Sequence, residues 1–192
     1  GAAALRDALG ASATDGSDGL TVELWLRLDG GGVAAKCGTD AKCAEVFAAM
    51  GYDGWALNAD DLASGSLDTF ITNVGSKPVL SNYASSYTST FANIGGAVLL
   101  AVADGGTTTY RQAITVALAD ARDAGIDFET TPVILCVSGM SSTDITDLGA
   151  SNAEDAVQKL AYEMTDVDLV IATSTLLSPL GFTTSSYYTA TN

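Results

Sequence analysis

The chain has 192 residues, 47% hydrophobic and only 16% charged, so it can bury a proper core and is neither disordered nor of low complexity. Its 23 Asp and Glu outweigh 8 Lys and Arg for a formal charge of −15, which repels phosphate backbones and argues against nucleic acid as a partner. Histidine is absent, which removes the usual general base, the commonest metal ligand and the nucleophile–histidine pairs, while leaving a carboxylate-only site for Mg²⁺ or Ca²⁺ open.

In chain order, residues 1–19 read as a short Ala-rich helix over Ala2 to Leu9 and an Asp/Ser/Gly linker. The chain begins at Gly1 rather than Met, the expected start of a processed or partial chain, and no cleavable signal is visible. Leu20 to Leu28 alternates as a strand with one wet face and is stopped by Asp29-Gly30-Gly31-Gly32. Cys37 and Cys43 bracket a short turn that a disulfide could close, which would imply an oxidising compartment; spacing alone leaves a free pair as the alternative. Ala41 to Met50 is an expected helix with Cys43, Val46, Phe47 and Met50 on one face, ended by Gly51.

Gly54 to Leu57 is a short buried strand. Asp60 or Asp61 is expected to cap a helix running to about Asn73, with Leu62, Leu67, Phe70 and Ile71 inward. Lys77 to Ser81 is another strand, and Tyr87 to Ile94 and Ala97 to Ala103 flank the hairpin signal Gly95-Gly96. Thr109 to Ala124 is an amphipathic helix carrying Ile114, Leu118 and Ala121. Pro132 to Val137 reads as a strand buried on both faces, with Cys136 inside it as a small core hydrophobe. Ala153 to Met164 is a helix, Val167 to Ala172 a last buried strand, and Thr173 to Asn192 a Ser/Thr/Tyr-rich surface tail. The expected fold class is α/β: a mainly parallel sheet flanked by helices, with one antiparallel hairpin. The expected organisation is a segment and linker at 1–19, one α/β domain at 20–177 and a tail at 178–192.

No catalytic set assembles from these residues. Gly30-Gly31-Gly32 lacks the Lys-Ser/Thr of a phosphate loop and the spacing of a dinucleotide loop. A serine nucleophile in Ser138-Gly139-Met140-Ser141-Ser142 has no histidine to serve it. Asp60 and Asp61 could ligate a cation; the plainer reading has one capping the helix and the other facing water.

The order of pieces resembles the metallophosphatase domain of the calcineurin-like phosphoesterases, in particular the 5′-nucleotidase branch. The family's strand ending Leu-Asp-Ala-Gly-Asp is similar to Leu28-Asp29-Gly30-Gly31-Gly32. Its Gly-Tyr-Asp and Ala-Leu-Gly-Asn-His-Glu-Phe-Asp-x-Gly are matched without a gap by Gly51-Tyr52-Asp53 and Ala56 to Gly65. Its Pro-Val-Leu-Ser-Ala-Asn resembles Pro78-Val79-Leu80-Ser81-Asn82, and its hairpin Gly-Gly resembles Gly95-Gly96. A strand ending Ser-His looks like Val137-Ser138-Gly139, and Asp-Leu-Ile-Ile-Gly-Gly-His-Thr-His looks like Asp168 to Leu176. The resemblance spans about residues 20 to 177 and implies a two-metal phosphoester hydrolase, but the positions it implies for metal ligands hold Gly32, Ala59, Gly139, Ser174 and Leu176, and Asp60 stands for the catalytic histidine. The resemblance therefore implies a vestigial site with no metal and no cofactor.

The expectation is a catalytically inactive, structural or accessory subunit. It would join other protein subunits with basic surfaces, or copies of itself, in an extracellular filament or a membrane-bound complex. No transmembrane run is present, and the expected setting is secreted or organellar. The alternative is a residual cation-dependent phosphoester hydrolase or ligand binder using Asp29, Asp60, Asp61 and Asp104. A carbohydrate-binding module has only the tail tyrosines Tyr187 and Tyr188 behind it.

Overall fold

The structure is a computed structural model that describes residues 28–29, 31–82, 88–104, 108–172 and 186–189. The first part of the chain runs β1 (Leu28–Asp29), α1 (Val33–Cys37), α2 (Ala41–Ala49), β2 (Gly54–Ala56), α3 (Ala59–Ala63), α4 (Leu67–Asn73) and β3 (Val79–Leu80). The second runs β4 (Phe91–Ile94), β5 (Ala97–Ala103), α5 (Tyr110–Asp123), β6 (Val133–Ser138), α6 (Ser142–Asp147), α7 (Ala153–Glu163), β7 (Leu169–Ala172) and β8 (Ser186–Thr189).

The fold is α/β, and most strand pairs are parallel, but the strands form two sheets rather than the single one expected. β1, β2 and β3 make a parallel sheet in that order, and β4 to β8 make a mixed sheet in which β5, β6 and β7 are parallel. The hairpin β4–β5 turns at Gly95-Gly96, both at positive φ, as that dipeptide predicts. A bridge between Leu80 and Ser89 ties β3 to the segment entering β4. Strand periodicity tells which residues alternate, not which sheet a strand joins, so the partition was invisible in the sequence.

Alternation along the strands explains the layers. Trp55 and Val79 point to one cluster with Val33, Ala34, Cys37 and Ala44 of α1 and α2 and Phe70 of α4. Ala56 and Leu80, on the opposite face, pack in another cluster with Ala97, Leu99, Ala101 and Ile134 of the second sheet. The other face of that sheet, through Val98, Leu100, Val133 and Leu135, meets Ile114 and Leu118 of α5 and Val157 and Leu160 of α7. Helices thus cover the outer face of each sheet and an apolar seam joins the inner faces. All seven residues of β5 are buried, the pattern of a strand covered on both sides.

Several expectations need correction. The helix expected from Asp60 or Asp61 to Asn73 is two helices, broken where Ser64 leaves the helical region at ψ 132°; its cap is Asn58, not either aspartate. On α2 the inward face is set by Ala44, with Phe47 and Ala48 partly buried, while Val46 and Met50 are exposed at 62% and 51%. The apolar stripe is rotated about one residue, roughly 100° around the helix, from the one expected. Cys136 packs against the inter-sheet cluster but is only partly buried. The short helices α1 and α6 have no counterpart among the expected elements, and β8 pairs antiparallel with β7 from within the Ser/Thr/Tyr-rich tail. The elements and turns expected over residues 1–27, 30, 87, 173–185 and 190–192 lie outside the described residues. No helix among the described residues is long and apolar enough to cross a membrane.

Candidate functional site

The positions singled out by the sequence cluster where parallel strands end and loops open into helices, the edge where α/β proteins usually place ligands. At the end of β1, Gly31 and Gly32 have φ of +104° and +91°, a backbone region that side chains rarely adopt. A Cβ on Gly31 would lie 2.7 Å from the Asn58 Cβ, and one on Gly32 would lie 3.3 Å from its Nδ2. The loop is glycine because the β2–α3 loop presses on it.

Asn58 caps α3, its Oδ1 accepting from the Asp61 N–H at 3.0 Å. Asp61 returns the bond, its Oδ2 accepting from the Asn58 N–H at 3.1 Å. The same oxygen accepts from the Gly32 N–H at 2.6 Å, and Oδ1 accepts from the Ala35 N–H at 2.9 Å. Asp61 is 1% exposed. One buried carboxylate therefore satisfies the first amides of α1 and closes the capping box of α3, where two helix N-termini favour negative charge. Asp60, beside it, is exposed.

A second loop repeats the design. Asp144 is 5% exposed and sits in the capping box of α6, accepting from the Ser141 hydroxyl at 2.5 Å and the Ser141 N–H at 3.3 Å. Its Oδ1 accepts from the Tyr110 N–H at 3.0 Å, at the start of α5. The Tyr110 hydroxyl donates to the Gly139 carbonyl at 2.8 Å. Gly139 has φ +82°, and a Cβ there would lie 3.0 Å from the Asp104 Cβ. Asn82, just after β3, binds the edge of β5: its Oδ1 accepts from the Ala103 N–H at 2.9 Å and its Nδ2 donates to the Ala103 carbonyl at 3.1 Å. This amide joins the strand ends of the two sheets.

Sequence reasoning placed the site at this edge and missed the roles of Asp61, Asp144 and Asn82. The signal for the first two was present as Asn58-x-x-Asp61 and Ser141-x-x-Asp144, the spacing of a capping box. Gly32, Ala59 and Asp60 gather at the end of β1 and β2, and Gly139 at the end of β6; Ser174 and Leu176 lie outside the described residues. Of the four aspartates of the alternative reading, Asp61 is committed to three backbone amides, Asp60 is exposed and Asp104 packs against Gly139; of Asp29 only the backbone is described. Among the described residues no three His, Cys, Asp or Glu side chains are gathered to hold a metal ion. The residues present do not fit a metal pair: Gly32, Ala59 and Gly139 carry no donor atom beyond the backbone.

No protein-family model and no curated protein matches the chain. Cys37 and Cys43 are joined, with Cα atoms 5.3 Å apart. An open groove of about 420 Å³ lies beside Thr109, Ser142, Thr143, Thr146 and Asp147, but its one carboxylate already pairs with Arg111 at 3.5 Å. Burial pushes the Cys136 thiol up to about 12, so it is protonated and unreactive at neutral pH although its residue keeps some surface.

Proposed function

We propose that this chain is a catalytically inactive α/β domain of metallophosphatase-like build that serves as a structural or accessory subunit of a protein assembly. The observation that carries the reading is the closure of the strand-end loops by the chain's own groups. The Gly32 and Ala35 amides, at a position where a phosphoester or its metal would be met, are bonded to Asp61. A donor side chain at Gly32 or Gly139 would need both a relaxed backbone and room that Asn58 and Asp104 occupy. The loops support a fold rather than a reaction.

The assembly half of the reading rests on charge. With −15 overall, the surface suits basic partner surfaces, or copies of itself where salt screens repulsion. Turnover of bis-p-nitrophenyl phosphate by the full chain with Mn²⁺ or Zn²⁺ tests the inactive reading. The expected rate equals that of buffer; turnover lost in Asp60→Asn would overturn it.

A further inference from the structure

We infer that the Cys37–Cys43 disulfide is a thiol-exchange switch that sets the order of α1 and, through Asp61, of the strand-end loop. α1 has five residues, too short to stand without tertiary anchors. Besides the packing of Val33 and Ala34, it has three anchors among the described residues. At its start, Asp61 accepts from Gly32 and Ala35. In its middle, the Ser66 hydroxyl donates to the Ala34 carbonyl at 3.4 Å. At its end, Cys37 is bonded to Cys43. The covalent anchor is the one that a small molecule can release.

The two sulfurs have different surroundings. Cys37 is 6% exposed, whereas Cys43 is only partly buried, so Cys43 is the more accessible residue of the pair. Cys43 is the third residue of α2, at the start of that helix. Lys36 and Lys42 each precede one of the two cysteines, are exposed, and make no ion pair among the described residues. The same stretch holds two carboxylates, Asp40, which caps α2 through the Lys42 and Cys43 amides, and the exposed Glu45. Two lysines facing two acids leave this stretch near neutral in a chain of −15, so an anionic small thiol of the glutathione class is repelled less here than the overall charge implies.

The exchange balances as follows. The thiolate of one small thiol attacks the Cys43 Sγ, forming a mixed disulfide and releasing Cys37 as a thiolate that takes up a proton. A second small thiolate attacks the outer sulfur of that mixed disulfide and releases Cys43 as a thiolate at the start of α2. Two small thiols become one disulfide, and two electrons pass to the protein. α1 then keeps Asp61, Ser66 and the packing of Val33 and Ala34.

The test incubates the native full chain in graded reduced and oxidised glutathione. Thiols at Cys37 and Cys43 are counted by mass after alkylation, and amide exchange is followed at Gly32 and Ala35. The switch predicts reversible reduction without unfolding and about tenfold faster exchange at both amides in the reduced form. Cys37→Ser/Cys43→Ser is expected to show the same faster exchange without any reductant, and Lys42→Gln a slower first attack by glutathione, by roughly a factor of two to five, with dithiothreitol much less affected. A disulfide that yields only when the whole chain unfolds, or one that is reduced with both amides unchanged, overturns the inference.

Discussion

Asp60 and Asp61 are chemically identical neighbours with opposite fates, decided by one helical step. The first faces water; the second turns into the protein and accepts from three backbone amides. The sequence made the pair legible as a cap and an exposed partner. It could not show that the cap atom belongs to Asn58, or that Asp61 also reaches α1, 26 and 29 residues back, because that contact exists only once β1 and β2 are paired. Asp61→Ala removes the acceptor of three part-buried N–H groups and is expected to cost about 2–3 kcal/mol in denaturant unfolding, with Asp60→Ala within about 0.5 kcal/mol of wild type. Gly31→Ala forces a positive φ and a 2.7 Å approach to Asn58, and should cost at least about 2 kcal/mol. Cys136 gives a pH signature. Its folded value of about 12 lies above the ordinary 9.0, so the native state holds the proton longer than the unfolded chain. Its contribution is intact below pH 9 and is lost as pH rises from there towards 12. Iodoacetamide at pH 8 should leave Cys136 unlabelled in the native protein and label it fully in urea.

Long, strongly periodic elements were the ones the sequence showed best. α5 has its Thr109–Gln112 capping box, its buried Ile114, Leu118 and Ala121, and Gly125 at φ +86° after its end, all visible as caps and spacing. β5 and β6 were visible as apolar runs. The failures are short elements whose existence is tertiary. α1 and α6 have five and six residues and are held by Asp61 and Asp144 rather than by propensity. The expected single helix after Asn58 breaks at Ser64, and α2 is rotated because the disulfide and Ala44, not Val46, set its inner face. At the sheet level, Asn82 supplies a side-chain version of a strand pair to Ala103. Asn82→Ala should lower stability by about 1–2 kcal/mol and raise amide exchange at Ala103. At the start of α7, the Ser151 N–H at 2.7 Å, and then Lys159, hold the Asp155 carboxyl below its ordinary 3.8, so that support is present above pH 3.8 and fades as pH falls below it.

At the scale of the whole molecule, the α/β class and the hairpin were legible, and the division into two sheets was not. Alternation gives each strand an inner and an outer face but does not number the sheets. The site was legible as a place and not as a structure: composition removed histidine, while only the folded chain shows that Asp61 and Asp144 fill the helix starts at the strand ends. The surface ion pairs, Arg111 with Glu163 at 2.9 Å and Arg122 with Asp166 at 2.6 Å, are well solvated and add little stability. Calorimetric titration of the full chain with Mn²⁺ tests most directly whether the strand-end loops are closed. The account predicts no saturable heat beyond that of weak, salt-screened association with surface carboxylates. A stoichiometric, saturable heat that disappears in Asp60→Asn would contradict it.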